Sequence, residues 1–168
     1  MKIVKLKIKN YSRGFGVIEI LIGASIITAA MFGLLGATQG MVRSSRQTER
    51  TVIASYLTEE GVEALRSIRD RGWANNIATL TLGTNYYFAF VDGMWTATTT
   101  ATTTDKLFTR TFVLASVDRN ITTSDISPTG GLLDPNTRKY TVTISFPSAS
   151  TGTTTRSISG YITNLFNN

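Results

Sequence analysis

Glu19 is the side chain whose place in the sequence has the clearest chemical meaning. It is the only charged residue in an apolar run that covers residues 15–42. An α-helix needs about 20 apolar residues to cross a bilayer, and this run has about 28. A charge in such a segment costs about 2.5–3.5 kcal/mol at the bilayer centre, less near the interface, and usually has a partner. We therefore expect the Glu19 carboxylate to have one.

The rest of the composition excludes several kinds of catalytic and metal site. The chain contains no histidine and no cysteine, which removes imidazole and thiolate chemistry and the usual zinc ligands. It has no glycine-rich phosphate loop of the G-x-x-x-x-G-K-[ST] type. Asp118, Asp125 and Asp134 lack the spacing of an EF-hand calcium loop. We expect no enzymatic activity, no cofactor and no bound metal.

Five basic residues and no acid precede the apolar run: Lys2, Lys5, Lys7, Lys9 and Arg13. The positive-inside rule predicts that the N-terminus stays in the cytoplasm and that the chain after Val42 lies on the other side of the membrane. The run is too long for a secretory signal peptide, whose apolar core has about 7–15 residues. Because these charges account for most of the net charge of +6, the basic composition indicates topology, and we predict no binding to nucleic acid.

The stretch Gly14-Phe15-Gly16-Val17-Ile18-Glu19, with its basic leader and apolar helix, resembles the class III signal of type IV prepilins and pseudopilins. This resemblance implies that prepilin peptidase cuts between Gly14 and Phe15 and that the new amino group of Phe15 is methylated. It also implies that Glu19 pairs with the terminal ammonium of a neighbouring pilin subunit during assembly. The exchange of lipid for packed helices favours such a pair, because each charge leaves an isolated state. Gly16 departs from the family pattern, in which threonine is usual.

A second stretch refines the resemblance within this family. The sequence Glu-Glu-Gly-Val-Glu-Ala-Leu-Arg-Ser-Ile-Arg-Asp-Arg-Gly-Trp covers residues 59–73 and is similar to the helix end of PilV-like minor pilins. It implies a minor or accessory subunit of a type IV pilus, held in the inner membrane before assembly and on the cell surface afterwards. On physical grounds alone, an ordinary surface helix with solvated charges and Trp73 over a small core explains the same residues.

Two other functions are compatible with the sequence. The chain could be a pseudopilin of a type II secretion or DNA-uptake system, which sequence barely separates from a pilus subunit. It could also be a single-pass, membrane-anchored binding module that does not assemble, with Glu19 in the headgroup region. Only an assembling subunit requires a free amino group on Phe15.

The helical pattern continues beyond the apolar run and becomes amphipathic in residues 43–72. Apolar or small residues recur there at helical spacing: Ile53, Leu57, Gly61, Ala64, Leu65 and Ile68. We predict ion pairs between Glu63 and Arg66 and between Arg66 and Asp70, three and four residues apart. No proline interrupts residues 15–71, and Gly72 is a typical stop signal.

Beyond Gly72 the apolar period becomes two, which predicts four or five strands. Residues 86–91 and 94–96 flank Asp92-Gly93, a favoured two-residue hairpin turn. Further strands are predicted over residues 107–117, 138–146 and 156–165. The strand over residues 138–146 places Tyr140, Val142, Ile144 and Phe146 on one face, and Pro147 follows it.

Two stretches between the strands are rich in residues typical of loops. Residues 96–104 are all threonine or alanine, and we interpret them as plain strand or loop in preference to a glycosylated tract. Residues 121–136 hold two prolines and two glycines and are predicted to be an exposed loop.

The predicted fold is α+β and pilin-like, with a long N-terminal helix packed against a C-terminal antiparallel sheet. Its predicted parts are a leader over residues 1–14, a transmembrane and assembly helix over 15–42, an amphipathic helix half over 43–72 and a β-sheet head over 73–168.

Overall fold

The computed structural model of the chain describes residues 14, 16–128, 130–149 and 151–166. Across these residues it contains two helices and seven strands. In chain order they are α1 (Val17–Asp70), α2 (Trp73–Asn76), β1 (Tyr86–Val91), β2 (Met94–Thr98), β3 (Thr103–Thr104), β4 (Phe108–Arg119), β5 (Ile126–Ser127), β6 (Leu132–Pro147) and β7 (Thr153–Thr163). The predicted α+β arrangement, one long N-terminal helix followed by an antiparallel sheet against which it packs, is confirmed.

The chain divides between Arg43 and Ser44 into two compact units. In the first, nearly all side chains of α1 are exposed, because the described residues of this unit form no other element that could cover them. The second unit contains the rest of α1, α2 and the sheet, and it has a hydrophobic core of its own.

One face of the second half of α1 packs against the sheet. The predicted positions Gly61, Ala64, Leu65 and Ile68 are buried, while Ile53 and Leu57 are partly buried against the core. Burial also extends to Ala54, Thr58 and Val62. The buried positions 54, 58, 61, 65 and 68 recur every three or four residues, as one face of a helix requires, and 62 and 64 lie beside this row.

The two predicted ion pairs on this helix had different outcomes. Arg66 pairs with Glu63, as predicted. The predicted pair between Arg66 and Asp70 is wrong, because a carboxylate oxygen of Asp70 accepts a hydrogen bond from Nε of Arg69 at 2.7 Å. Arg66 is already held by Glu63, which leaves Asp70 to the neighbouring arginine in the last turn.

The sheet is antiparallel throughout and has the strand order β2-β1-β4-β6-β7. The short strands β3 and β5 each pair with β4. β4 and β6 form the centre, with ten paired positions along their length. The predicted alternation is confirmed here, since Tyr140, Val142, Ile144 and Phe146 are all buried on the face towards α1.

The hairpin predicted at Asp92-Gly93 is confirmed. β1 and β2 pair from Val91 and Met94 outwards, and the two turn residues have φ values of 51° and 78°. A two-residue turn with positive φ at both positions matches the right-handed twist of the strands, and glycine reaches that region without strain.

The predicted loop over residues 121–136 is partly wrong. β5 lies within it, and β6 begins at Leu132, six residues before the predicted strand start. Leu132 and Leu133 pair with Arg119 and Asp118, so the end of β4 supplies backbone partners that local composition does not reveal. Pro135 is accommodated because it lies at an irregularity of the ladder, where a missing N–H is tolerated.

The remaining strands also differ in length from the prediction, and the total of seven exceeds the predicted four or five. The threonine-rich residues 96–104 contribute the end of β2 and all of β3. β7 begins at Thr153 and ends at Thr163, against a predicted span of 156–165. Pro147 is the last residue of β6 and pairs with Thr153.

Two buried clusters form the core of the second unit. The larger contains Trp73, Phe112 and Val142, and the smaller contains Ala54, Phe108 and Phe146. Trp73 is therefore a core residue and is 4% exposed. This agrees with the interpretation of residues 59–73 as an ordinary surface helix with Trp73 over a small core.

A buried arginine lies at the boundary of the two clusters. Arg110 stands on β4 between Phe108 and Phe112. The centre of its guanidinium lies 5.3 Å from the ring centre of Phe88 and 4.9 Å from that of Trp95. Contacts of a guanidinium with aromatic faces are favourable and help to offset the loss of water.

Candidate functional site

The predicted processing and assembly residues lie at the start of α1. Gly14 is exposed, and Phe15 lies outside the described residues, so the predicted cleavage and methylation remain predictions. Glu19 is exposed in the first turn of α1, which begins at Val17. The first unit therefore presents this carboxylate close to the helix N-terminus.

The Glu19 side chain caps the N-terminus of the helix. Its Oε2 atom accepts a hydrogen bond from the backbone N–H of Gly16 at 2.8 Å. The backbone N–H of Glu19 donates to the carbonyl of Gly16 at 3.0 Å. With Gly16 as N-cap and Glu19 three residues later, this is the half of a capping box in which the acid reaches back to the N-cap N–H.

Glu19 lies in the first turn of α1, a common place for an acidic side chain. The first turn of a helix carries partial positive charge from its unsatisfied N–H groups, worth about 0.3–1 kcal/mol to a nearby anion. Gly16 has no side chain to form the other half of the capping box. A Cβ at position 16 would lie 3.8 Å from Oε2 of Glu19, which is an ordinary contact.

The apolar part of α1 has no cover within the described chain. Its large side chains are exposed along the whole run, including Ile20, Ile27, Phe32, Leu35 and Val42. Among the described residues, α1 is the one helix long and apolar enough to cross a membrane, and its most apolar window is entirely unburied. Apolar surface of this extent indicates contact with lipid or with other protein.

The three aspartates considered as calcium ligands do not form a site in the described part of the chain. No group of three or more acidic side chains there is placed to hold a metal ion. Asp134 is instead bound to Arg119, whose Nε lies 2.6 Å from its Oδ2. Asp118 stands on β4, and Asp125 lies between β4 and β5.

Asp134 organises the irregular part of the β4–β6 ladder. Its carboxylate accepts hydrogen bonds from Arg119, from the hydroxyl of Thr137 at 2.6 Å and from the backbone N–H of Asn136 at 2.8 Å. Burial raises the pKa of Asp134, but these hydrogen bonds and the charge of Arg119 outweigh it, so the pKa lies below its ordinary value. The ionised form is therefore the one that the fold stabilises.

The register of β4 and β6 shifts at this point. Ser116 pairs with Arg138, but Asp118 pairs with Leu133, so one residue of β4 lies opposite four residues of β6. The burial pattern of β4 changes with it, since Leu114 is buried and the next buried position is Val117, three residues later. This bulge turns Asp118 to the outer face of the sheet, away from α1.

The bulge creates a cleft on the outer face that sequence analysis missed. Its volume is about 510 Å³, and the residues that line it include Ser116, Asp118, Ile126, Lys139 and Tyr161. Lys139 and Tyr161 are direct cross-strand partners on β6 and β7. The loop-like composition of residues 121–136 was the feature of the sequence that pointed to an irregular region here. It did not reveal which strands would meet to form the cleft.

Comparison with protein-family models, with curated proteins and with solved structures gives no match to this chain.

Proposed function

We propose that this protein is a structural, pilin-like subunit, minor or accessory in a type IV pilus. Prepilin peptidase would remove residues 1–14 and leave Phe15 as a methylated N-terminus. The apolar part of α1 would hold the subunit in the inner membrane and then pack against other subunits in the filament. No catalytic role is proposed.

The observation that carries this proposal is the exposed apolar half of α1 with a single carboxylate in its first turn. A membrane alone would cover the apolar side chains, but it gives no reason for a charge at this position. A neighbouring subunit with a free terminal ammonium supplies both an apolar partner and a counter-ion. Glu19 is exposed, and its Oε2 atom is bound at the start of its own helix. Its other carboxylate oxygen has no hydrogen-bond partner among the described residues and is available to such a subunit.

The proposal is tested by the intact mass and N-terminal sequence of the protein purified from native membranes or sheared filaments. A chain that begins at Phe15 with one added methyl group supports processing and assembly. A chain that begins at Met1, without methylation, would contradict the proposal and favour the anchored module.

A variant at the cleavage site supplies the matched control. Gly14→Leu places a bulky side chain before the scissile bond and should keep the full-length chain in the membrane. Gly23→Leu changes a glycine inside the apolar run and should leave processing intact. Recovery of the Gly14→Leu protein in sheared filaments would contradict the role of this junction.

The membrane-anchored binding module is the second candidate, because the second unit has a complete core and a cleft of its own. A pseudopilin of a secretion or DNA-uptake system shares the processing of a pilus subunit. The presence of the mature chain in surface filaments, as opposed to membranes alone, distinguishes a pilus subunit from these two.

A further inference from the structure

The cleft beside the irregularity in the β4–β6 ladder brings together side chains from four strands. Asp118 and Ser116 come from β4, Lys139 from β6 and Tyr161 from β7, while Ile126 and Ser127 of β5 line the cleft together with Pro128. Its volume of about 510 Å³ lies within the range of about 300–1,000 Å³ that is typical of small-molecule sites.

The floor and the walls of the cleft follow from the register of the sheet. Ala115, Lys139 and Tyr161 form one row across β4, β6 and β7. The small side chain of Ala115 leaves space beside Lys139, and the bulge brings Asp118 to the same face. Bulges often redirect a side chain next to a functional site.

Three polar side chains of this cleft have no partner within the part of the chain that the structure describes. Among the described residues, the side chains of Asp118, Lys139 and Tyr161 form no hydrogen bond or ion pair with each other or with other residues. The nearby side chains of Asp134 and Arg119, in contrast, form hydrogen bonds with each other and with Thr137. The cleft therefore offers a carboxylate, an ammonium and a phenol to a ligand.

The combination of groups indicates the class of ligand. A half-exposed tyrosine ring is a platform for the C–H face of a pyranose, because its π-face is negative and those hydrogens are slightly positive. A carboxylate accepts hydrogen bonds from two neighbouring hydroxyls, and an ammonium donates to hydroxyl oxygens. The charges of Asp118 and Lys139 cancel, which favours an uncharged ligand over a phosphate or a carboxylate.

The surface next to the cleft carries further hydroxyl groups that can bind a sugar. Along β6 and β7 the outer face carries the cross-strand pairs Thr141–Ser159, Thr143–Ser157 and Ser145–Thr155. The hydroxyls of Thr141 and Ser159 lie 2.8 Å apart. Strand geometry spaces such rows about 4.8 Å across the sheet and about 6.8 Å along it. These three pairs hold no charged side chain, so the surface can meet further units of a neutral chain of sugars.

We propose that this cleft binds an uncharged glycan, with Tyr161 as the stacking platform and Asp118 as the acceptor of two sugar hydroxyls. Lys139 donates to a sugar oxygen, and the hydroxyl rows of β6 and β7 accommodate adjoining units. This site is separate from Glu19 and from α1, and its function does not depend on filament assembly.

Saturation-transfer NMR on the full chain in phospholipid nanodiscs tests the proposal, because nanodiscs avoid detergents with sugar headgroups. The probes are the neutral tetrasaccharides of glucose, galactose, mannose and N-acetylglucosamine, with tetragalacturonate as the anionic comparison. We expect saturation transfer to at least one neutral probe and at least tenfold weaker binding by Tyr161→Ala and by Asp118→Asn.

Two matched variants control for changes unrelated to the cleft. Tyr56→Ala removes an exposed tyrosine of α1, and Asp92→Asn changes an exposed aspartate of the hairpin turn. Both should bind as the unmodified chain does. Asp118→Asn preserves the shape of the side chain. It therefore still tests the proposal if Tyr161→Ala lowers the melting temperature and so weakens binding through loss of folded protein. The proposal is overturned if no neutral probe binds, if tetragalacturonate binds better than all of them, or if Asp118→Asn binds normally.

Discussion

Gly61 of α1 lies against Val142 of β6 so closely that a Cβ at position 61 would be 2.8 Å from Cγ1 of the valine. The same Cβ would be 3.2 Å from Cδ of Arg110. The helix can approach the sheet at this distance only because residue 61 has no side chain. This contact holds the second half of α1 onto the centre of the sheet.

Gly61→Ala should therefore destabilise the second unit by about 1–3 kcal/mol, the usual cost of an overpacked core. This result would oppose the helix propensity of alanine, which favours the substitution by about 1 kcal/mol. Thermal unfolding followed by near-UV circular dichroism measures the effect. Gly36→Ala is the control, because no atom lies within 4 Å of a Cβ there, and an equal response of both variants would refute the close contact.

Arg110 and Glu60 form an ion pair of unequal burial. The distance between Nη1 of Arg110 and Oε2 of Glu60 is 2.8 Å, and the two side chains are 6% and 47% exposed. Loss of Glu60 leaves a buried cation without its counter-ion, whereas loss of Arg110 leaves a carboxylate that water can reach. We expect Glu60→Gln to cost about 1–2 kcal/mol and Arg110→Met, which keeps much of the volume, to cost less.

The double variant separates the two effects. Glu60→Gln combined with Arg110→Met should be about as stable as Arg110→Met alone, since the buried cation is gone in both. Glu63→Gln, at the exposed pair with Arg66, should change stability by less than about 1 kcal/mol. Chemical denaturation of all four variants provides the comparison, and additive costs in the double variant would argue against this account.

Asp134 should make the stability of the second unit depend on acid pH. Because its folded-state pKa is depressed below the ordinary value of 3.8, its contribution is present above that value and is lost as the pH falls through the lower, folded-state pKa. Asp134→Asn should cost about 1.5–3 kcal/mol at pH 7, as expected for hydrogen bonds to a charged group. The stability difference from the unmodified chain should shrink as the pH falls below 3.8.

Melting temperatures between pH 7 and pH 2.5 measure this dependence. Asp125→Asn changes an exposed aspartate in the same part of the chain and should have little effect at any of these values. A stability difference for Asp134→Asn that stays constant across the range would show that the carboxylate charge does not contribute.

Glu19→Ala should leave membrane insertion intact, or slightly improve it, because a charge is removed from the apolar segment. If the proposed pairing holds, incorporation into filaments should fall at least tenfold, since a neighbouring ammonium would lose its counter-ion. Immunoblots of membrane and sheared-filament fractions measure both quantities. Glu49→Ala, on the exposed surface of α1, is the control, and normal incorporation of Glu19→Ala would exclude the assembly role.

Local patterns in the sequence were enough to predict the main elements. The length of the apolar run, the alternation from Tyr140 to Phe146 and the Asp92-Gly93 turn each depend on neighbours within a few residues. The same locality explains why Glu19 was recognisable as a candidate functional residue, because a single charge in an apolar run is visible without knowledge of the fold.

Tertiary structure alone decided the features that depend on distant partners. The β3–β4 turn has positive φ at Asp105 and at Lys106, and lysine is not one of the residue types that mark turns. The bulge opposite Val117 depends on how Asp134, Arg119 and Thr137 meet across two strands, and the shift in alternation there decides which face Asp118 occupies. Side-chain period along a strand is two, so one irregularity exchanges inner and outer positions. For this reason the sequence by itself determined the helix, the hairpin and the candidate assembly residue, whereas the cleft and the buried Arg110 arose only from strand pairing.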